Sequence, residues 1–149
     1  MKFGRAERSS ILRIPATRVY SILSDYRVGH PAILPKQYFK KLQVEAGGNG
    51  AGTKIYVEMQ VAGTTKSFHH IVSEPEPGRV LVEADADGST VTTFTVEPVG
   101  DGSSCKLTIG TKFPARDGFI GAMERFLTSA VLRRIYAKEV AQLADYARK

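Results

Sequence analysis

Two adjacent histidines, His69 and His70, stand near the middle of a chain that has three in all, and they are the first residues to weigh for chemistry. An imidazole pair invites a metal ion, but neighbours on an extended strand project to opposite faces, so these two cannot converge on one centre. The run TKSFHHIVSE puts His70 on the face of Phe68 and Val72, with His69 on the other. An inward His70 among apolar side chains can orient a ligand or exchange a proton near neutral pH. The plainer alternative is a buried histidine satisfied by a carbonyl or a water. His30 lies in the segment GHPAILP, either at the mouth of a cavity or simply in a surface loop.

Cys105 is the only cysteine, which excludes an internal disulfide and cysteine-based metal sites. It falls on an apolar strand face and reads as a core residue, not a nucleophile. The carboxylates are dispersed over turns and outward strand positions, so no paired acid/base site is expected. Tyr56 and Glu58 share an outward face, although curvature could bring the tip of Tyr56 to a sheet edge. The run GNGAG lacks the preceding strand, the following helix and the Lys-Ser/Thr of a phosphate loop, and reads as a hairpin turn. Neither a metal nor a cofactor is expected.

The apolar residues say more. Phe119, Met123 and Phe126 recur at helical spacing, and they would face Met59, Phe68, Phe94 and Ile109 if their helix crosses the sheet. As core they need no special account. As the lining of a cavity, joined by Leu34, Ile55, Val57, Val82 and Leu107 and by His70 as the candidate polar or catalytic group, they make an apolar site with few polar groups, as small-molecule sites usually are. Ala62-Gly63-Thr64 and the segment from His30 to Pro35 would form its flexible mouth.

These residues need elements to position them. A helix from Asp117 to about Arg148 is predicted, with Asp117 as N-cap and Arg148 and Lys149 at the end where the helix dipole favours cations. One stripe reads Phe119, Met123, Phe126, Ala130, Ala137, Ala141, Ala144, with Thr128, Glu139 and Gln142 placed on the far side. Its large residues come first and its alanines second, so the helix can lie flat at one end and roof a volume at the other. A second stripe, Leu132, Tyr136, Val140, Leu143, Ala147, would pack on the first helices or a sheet edge, or form a dimer contact.

Ahead of this helix the chain reads as strands. Ala6–Ile14 is a first strand stopped by Pro15, and ATRVYSILSDY is a short helix. Gly29, Pro31 and Pro35 then allow at most one irregular helical turn from His30 to Leu34. Six runs follow: Tyr38–Ala46, Gly52–Val61, Thr65–Glu74, Arg79–Ala84, Thr90–Glu97 and Ser104–Phe113. The turn clusters between them leave no room for crossovers, so the strands form an antiparallel meander. Alternation puts Ile55, Val57, Met59 and Val61 on the buried face, with Phe68, His70 and Val72, with Val80, Val82 and Ala84, and with Cys105, Leu107, Ile109 and Phe113. Phe94 and Val96 are ambiguous.

At 149 residues with 42% hydrophobic content, the chain reads as one domain, residues 1–149, with a full core. The segment MKFGRAERSS has no apolar signal core and no run is long enough to span a bilayer, so a cytoplasmic protein without stable membrane insertion is expected. The net charge of +6 is dispersed, and the middle strands carry Glu58, Glu74, Glu76, Glu83, Asp85, Asp87 and Glu97. With no basic cluster interleaved with aromatics, no nucleic-acid partner is expected.

The order of elements, with the segments IPATRVYSILSDY, GNGAGTKIYVEM, IVSEPEPGRVL and DGSSCKLTIGTKF and the final helix, resembles the START-like (SRPBCC) superfamily, and within it the polyketide cyclase/dehydrase and lipid-transport group. The resemblance covers nearly the whole chain. It implies an α+β helix-grip fold, with a seven-stranded curved antiparallel sheet wrapped around the long C-terminal helix and two short helices between strands 1 and 2. It also implies a deep apolar cavity holding a lipid-, polyketide- or isoprenoid-like ligand. The alternative is a cyclase/dehydratase-type enzyme acting on a carbonyl-bearing substrate. A third reading is an interaction module that uses the second helix stripe. The expected state is a monomer or weak homodimer.

Overall fold

A computed structural model describes residues 2–149. In chain order the elements are β1 (Lys2–Leu12), α1 (Ala16–Ser24), α2 (Gly29–Ile33), β2 (Phe39–Ala46), β3 (Lys54–Val61), β4 (Thr64–Glu76), β5 (Val80–Ala84), β6 (Val91–Val99), β7 (Ser104–Ala115) and α3 (Gly118–Ala147). The strands form one antiparallel sheet in the order β1-β7-β6-β5-β4-β3-β2. This is the expected meander, with β1 returning to pair beside the last strand. The tight β3–β4 hairpin turns on Ala62 and Gly63, both at positive φ (52° and 79°), the conformation whose twist suits a two-residue loop. Among the described residues no helix is long and apolar enough to cross a membrane.

The concave face carries the core. Directly paired residues share a face, so the register groups Ile55 with His70, Val57 with Phe68, Phe94 with Leu81 and Ile109, and Val96 with Leu107. Phe94 and Val96 thus point inward and are buried, which resolves their ambiguity. The reading of β5 needs correction. Leu81 and Glu83 are its buried residues, whereas Val80, Val82 and Ala84 lie on the other face. A register shift between Ser73 and Glu76, around Pro75, sets the phase of β5. Polar type alone misplaced Glu83, because buried partners exist for it.

The face of α3 is also different from the expected one. Its buried residues are Gly121, Ser129, Ile135, Tyr136, Glu139, Val140 and Leu143. Phe119, Met123 and Phe126 are 79%, 51% and 69% exposed, so they do not pack against Phe94 and Ile109, which are closed off by other neighbours. The rotation follows from side-chain size. The helix makes its closest approach along β1, where Ser129 Oγ donates to the Arg5 carbonyl at 2.6 Å. A Cβ at Gly4 would collide with the Phe113 ring and sit 3.1 Å from Arg125 Cγ. Small residues on both elements thus bring this face inward. The second stripe is the packed one, with Tyr136, Val140 and Leu143 buried within the chain and Leu132 and Ala147 half-buried. Asp117 occupies the N-cap position in extended conformation, but its side chain makes no capping hydrogen bond.

Candidate functional site

The turn between α1 and α2 and the start of α2 aim two polar rings into the interior. Asp25 closes the turn by accepting from the backbone amides of Arg27 and Val28, each at 3.2 Å, and of Gly29 at 3.3 Å. Gly29 is required because a Cβ there would lie 2.7 Å from the Ile22 carbonyl oxygen. The chain then buries Tyr26 and His30 with their rings stacked, centroids 4.5 Å apart, and His30 edge-on to Phe94 at 5.5 Å.

Both rings converge on Glu83. Tyr26 donates its hydroxyl to Glu83 Oε2 at 2.6 Å, and His30 Nε2 lies 3.4 Å from the same oxygen. His30 Nδ1 is 2.7 Å from the Leu23 carbonyl, which can only accept, so Nδ1 carries a proton. A neutral ring would then turn the Nε2 lone pair towards a carboxylate oxygen. The contact is attractive only when one further proton resides on the pair. Burial and the adjacent Glu83 charge push the Tyr26 phenol well above its ordinary range, so Tyr26 acts as a donor.

From the opposite side α3 brings Tyr136 and Glu139. The Tyr136 hydroxyl is hydrogen-bonded to Thr111 Oγ1, which lies 2.8 Å from Thr92 Oγ1. Glu139 is 3% exposed, and its Oε1 has no hydrogen-bond partner among the described residues. Burial first, and then the negative charge of Glu83, push its carboxyl up to about 8. Gln142 Oε1, three residues further along α3, is likewise buried without a partner. Sequence reading missed Tyr26, Glu83, Tyr136 and Glu139. The available signal was Glu139 falling in the stripe of Leu132, Tyr136 and Leu143.

His70 points inward as its alternation requires and is 8% exposed. Its Nε2 lies 3.1 Å from Asp85 Oδ1, but neither ring nitrogen makes an aligned hydrogen bond, so this is an ion-pair contact only. His69 is outside, 3.0 Å from Glu45 Oε1. Tyr56 is also outside, donating to Glu58 Oε1 at 2.6 Å, so its tip does not reach the interior. His30 lies in the interior instead of in a surface loop. Cys105 is fully buried, and burial raises its thiol pKa.

Of the remaining expected lining, Leu34, Ile55, Val57, Phe94, Leu107 and Ile109 are buried, and Met59 and Phe68 are half-buried. Val82 faces away from them. Two open grooves run along α2 and β2. One, of about 570 Å³, is bordered by Arg27, Pro31, Leu42 and Val44, with buried Tyr26 beneath its floor. The other, of about 250 Å³, is bordered by Pro31, Leu34, Phe39 and three lysines, Lys36, Lys40 and Lys41. Among the described residues, no group of three or more His, Cys, Asp or Glu side chains is gathered to hold a metal.

Residues 4–148 match the family described as polyketide cyclase/dehydrase and lipid transport. The chain belongs to that family. Among solved structures, this family member is similar to the KanY protein, with 25% identity over all of both chains and a TM-score of 0.84. It is also similar to the Zhui aromatase/cyclase of Streptomyces sp. R1128, with 16% identity over 99% of this chain and 94% of that one and a TM-score of 0.74. A START superfamily protein from Mycobacterium smegmatis shares 15% identity over 97% of each chain, with a TM-score of 0.71. The last two likenesses establish the START-like helix-grip fold. No curated protein is significantly similar to this family member in sequence.

Proposed function

We propose that the protein binds a hydrophobic small molecule of lipid, polyketide or isoprenoid type between its sheet and α3, with a carbonyl-bearing end turned towards Glu139. One observation carries this reading: Glu139 is 3% exposed and one of its carboxyl oxygens meets no protein partner. Leaving a buried polar group unpaired costs roughly 1–3 kcal/mol, and a ligand's carbonyl is a fitting complement to a protonated carboxyl. The surrounding wall is apolar, with Ile55, Val57, Phe94, Leu107 and Ile109 from the sheet and Leu34 from the segment after α2. Burial of ligand surface against it supplies about 25 cal/mol per Å² before losses. Phe119, Met123 and Phe126, exposed on the other face of α3, take no part in this wall.

Fluorescence titration with 1-anilinonaphthalene-8-sulfonate, followed by competition, tests the reading. Saturable 1:1 binding is expected, with displacement by 2-tetralone at lower concentration than by tetralin, which has the same skeleton without the carbonyl. Equal displacement by the two would remove the polar end from the account, and absence of saturable binding would sink it.

A second reading, a cyclase/dehydratase-type enzyme acting on a carbonyl-bearing hydrophobic substrate, is favoured by the convergence of Tyr26 and His30 on Glu83. His70, beside Asp85, is a further titratable group on the same sheet face.

A further inference from the structure

The first half of α3 gathers large apolar residues that the fold leaves outside. Phe119, Ile120, Met123, Phe126 and Leu127 are each more than half exposed. They fall in two neighbouring rows on the solvent side of the helix. One row reads Phe119, Met123, Phe126, Ala130, Arg133 and the other Ile120, Leu127, Arg134, Lys138, so each begins apolar and ends in exposed cations. A contiguous apolar patch of this kind marks a contact surface, and its flanks say what it contacts. From Arg116 to Lys138 the cations are Arg116, Arg125, Arg133, Arg134 and Lys138, against Asp117 and Glu124, and Glu124 is occupied by Arg116 Nε at 2.7 Å. Arg133 and Arg134 form no ion pair among the described residues. The strand packed beside this half of α3, β1, bears Lys2, Arg5 and Arg8 against Glu7. Arg5 stands directly opposite Lys112 of β7, a like-charge pair that destabilises the sheet unless an anion lies beside it. Acids gather elsewhere, on β3–β6, as Glu58, Glu74, Glu76, Glu83 and Glu97. The molecule thus has a positive side, and the exposed apolar patch is on it.

We propose that this half of α3 docks the protein reversibly on anionic lipid bilayers. Phe119, Ile120, Met123, Phe126 and Leu127 enter the boundary between headgroups and acyl chains, and Arg133, Arg134 and Lys138 lie among the headgroups. A helix lying in the interface plane needs an apolar face of large side chains bordered by Lys and Arg, which the two rows supply. Apolar burial and attraction to anionic headgroups then act together, the attraction reaching about one Debye length from the surface. The contact is peripheral, since among the described residues no helix is long and apolar enough to cross a membrane. A second copy of the chain is a poorer occupant, because packing this face against itself would set Arg133 and Arg134 against the positive side of the other copy. Docking here is separate from the ligand reading, for none of these residues belongs to the apolar wall around Glu139.

The test is flotation with vesicles of phosphatidylcholine alone and of phosphatidylcholine with about 30 mol% phosphatidylglycerol, at about 0.1 M salt. Binding to the anionic vesicles is expected, at least about tenfold weaker on phosphatidylcholine alone and at about 0.5 M salt. The double variant Phe119→Ser with Phe126→Ser should weaken anionic binding by at least about tenfold, and so should Arg133→Glu with Arg134→Glu. All four positions are exposed, so the fold should be kept, which circular dichroism of each variant checks. The chain has no tryptophan, so Met123→Trp adds a reporter to an otherwise unaltered surface. Its emission should shift to the blue on anionic vesicles and be quenched by brominated acyl chains. Absence of binding to the anionic vesicles overturns the proposal. So does a serine double variant that binds as well as the parent, which would mean adsorption by charge alone. A concentration-dependent dimer by sedimentation that the serine double variant abolishes would assign the face to a second copy and overturn it as well.

Discussion

Glu139 occupies a helix position whose neighbours on the same face, Tyr136, Val140 and Leu143, are buried, and it carries a carboxyl into that apolar contact. Its protonation is therefore tied to folding. In the unfolded chain the carboxyl ionises at its ordinary value of 4.5, whereas in the folded protein it keeps its proton up to about 8. Between these values the folded state binds the proton and the unfolded state has lost it, so stability is greatest on the acid side and declines as pH rises. The slope from this one group is up to ~1.4 kcal/mol per pH unit, and it flattens once the folded carboxyl has ionised. Urea denaturation at several pH values between about 5 and 8 should show this decline, and Glu139→Gln should remove it. Equal slopes in the two proteins would mean that Glu139 is not held neutral by the fold.

At the scale of elements, the placement of the site depends on how α3 is rotated, and that rotation depends on the small residues where it meets β1. Gly4→Val should force the Phe113 ring and Arg125 apart and destabilise the protein by about 1–3 kcal/mol, as overpacking usually does. Phe126→Ser, on the exposed face, should change stability by no more than about 0.5 kcal/mol despite replacing a large aromatic. Thermal denaturation of the two variants measures both, and a reversed order would mean that the opposite face of α3 is packed. Both stripes of this helix are visible in the sequence. What the sequence conceals is which one faces inward, because Phe119, Met123 and Phe126 are the more apolar set while Gly121 and Ser129 permit the closer approach. The same difficulty arises in β5, where Val80, Val82 and Ala84 look more like core than Leu81 and Glu83. The partners that make Glu83 tolerable inside, Tyr26 and His30, lie more than fifty residues away in the chain.

For the molecule as a whole, strand order, the antiparallel meander and the long C-terminal helix follow from turn chemistry and alternation, which are local properties. Ile55, Val57 and Leu107 are on the concave face for the same reason. The polar interior is a product of the closed fold, in which the α1–α2 turn and α2 contribute the rings of Tyr26 and His30, β5 the carboxyl of Glu83, and α3 the ring of Tyr136 and the carboxyl of Glu139. The family description spans polyketide cyclases, dehydrases and lipid transport, and the proposed binding of a hydrophobic ligand is compatible with each of them. On the proposed reading this interior takes up a hydrophobic carbonyl compound. Native mass spectrometry of the protein purified from its own host, with organic extraction of what it carries, tests this directly. One small molecule per chain is expected, extractable into organic solvent and bearing a carbonyl group. A chain at its bare mass with nothing in the extract would contradict it.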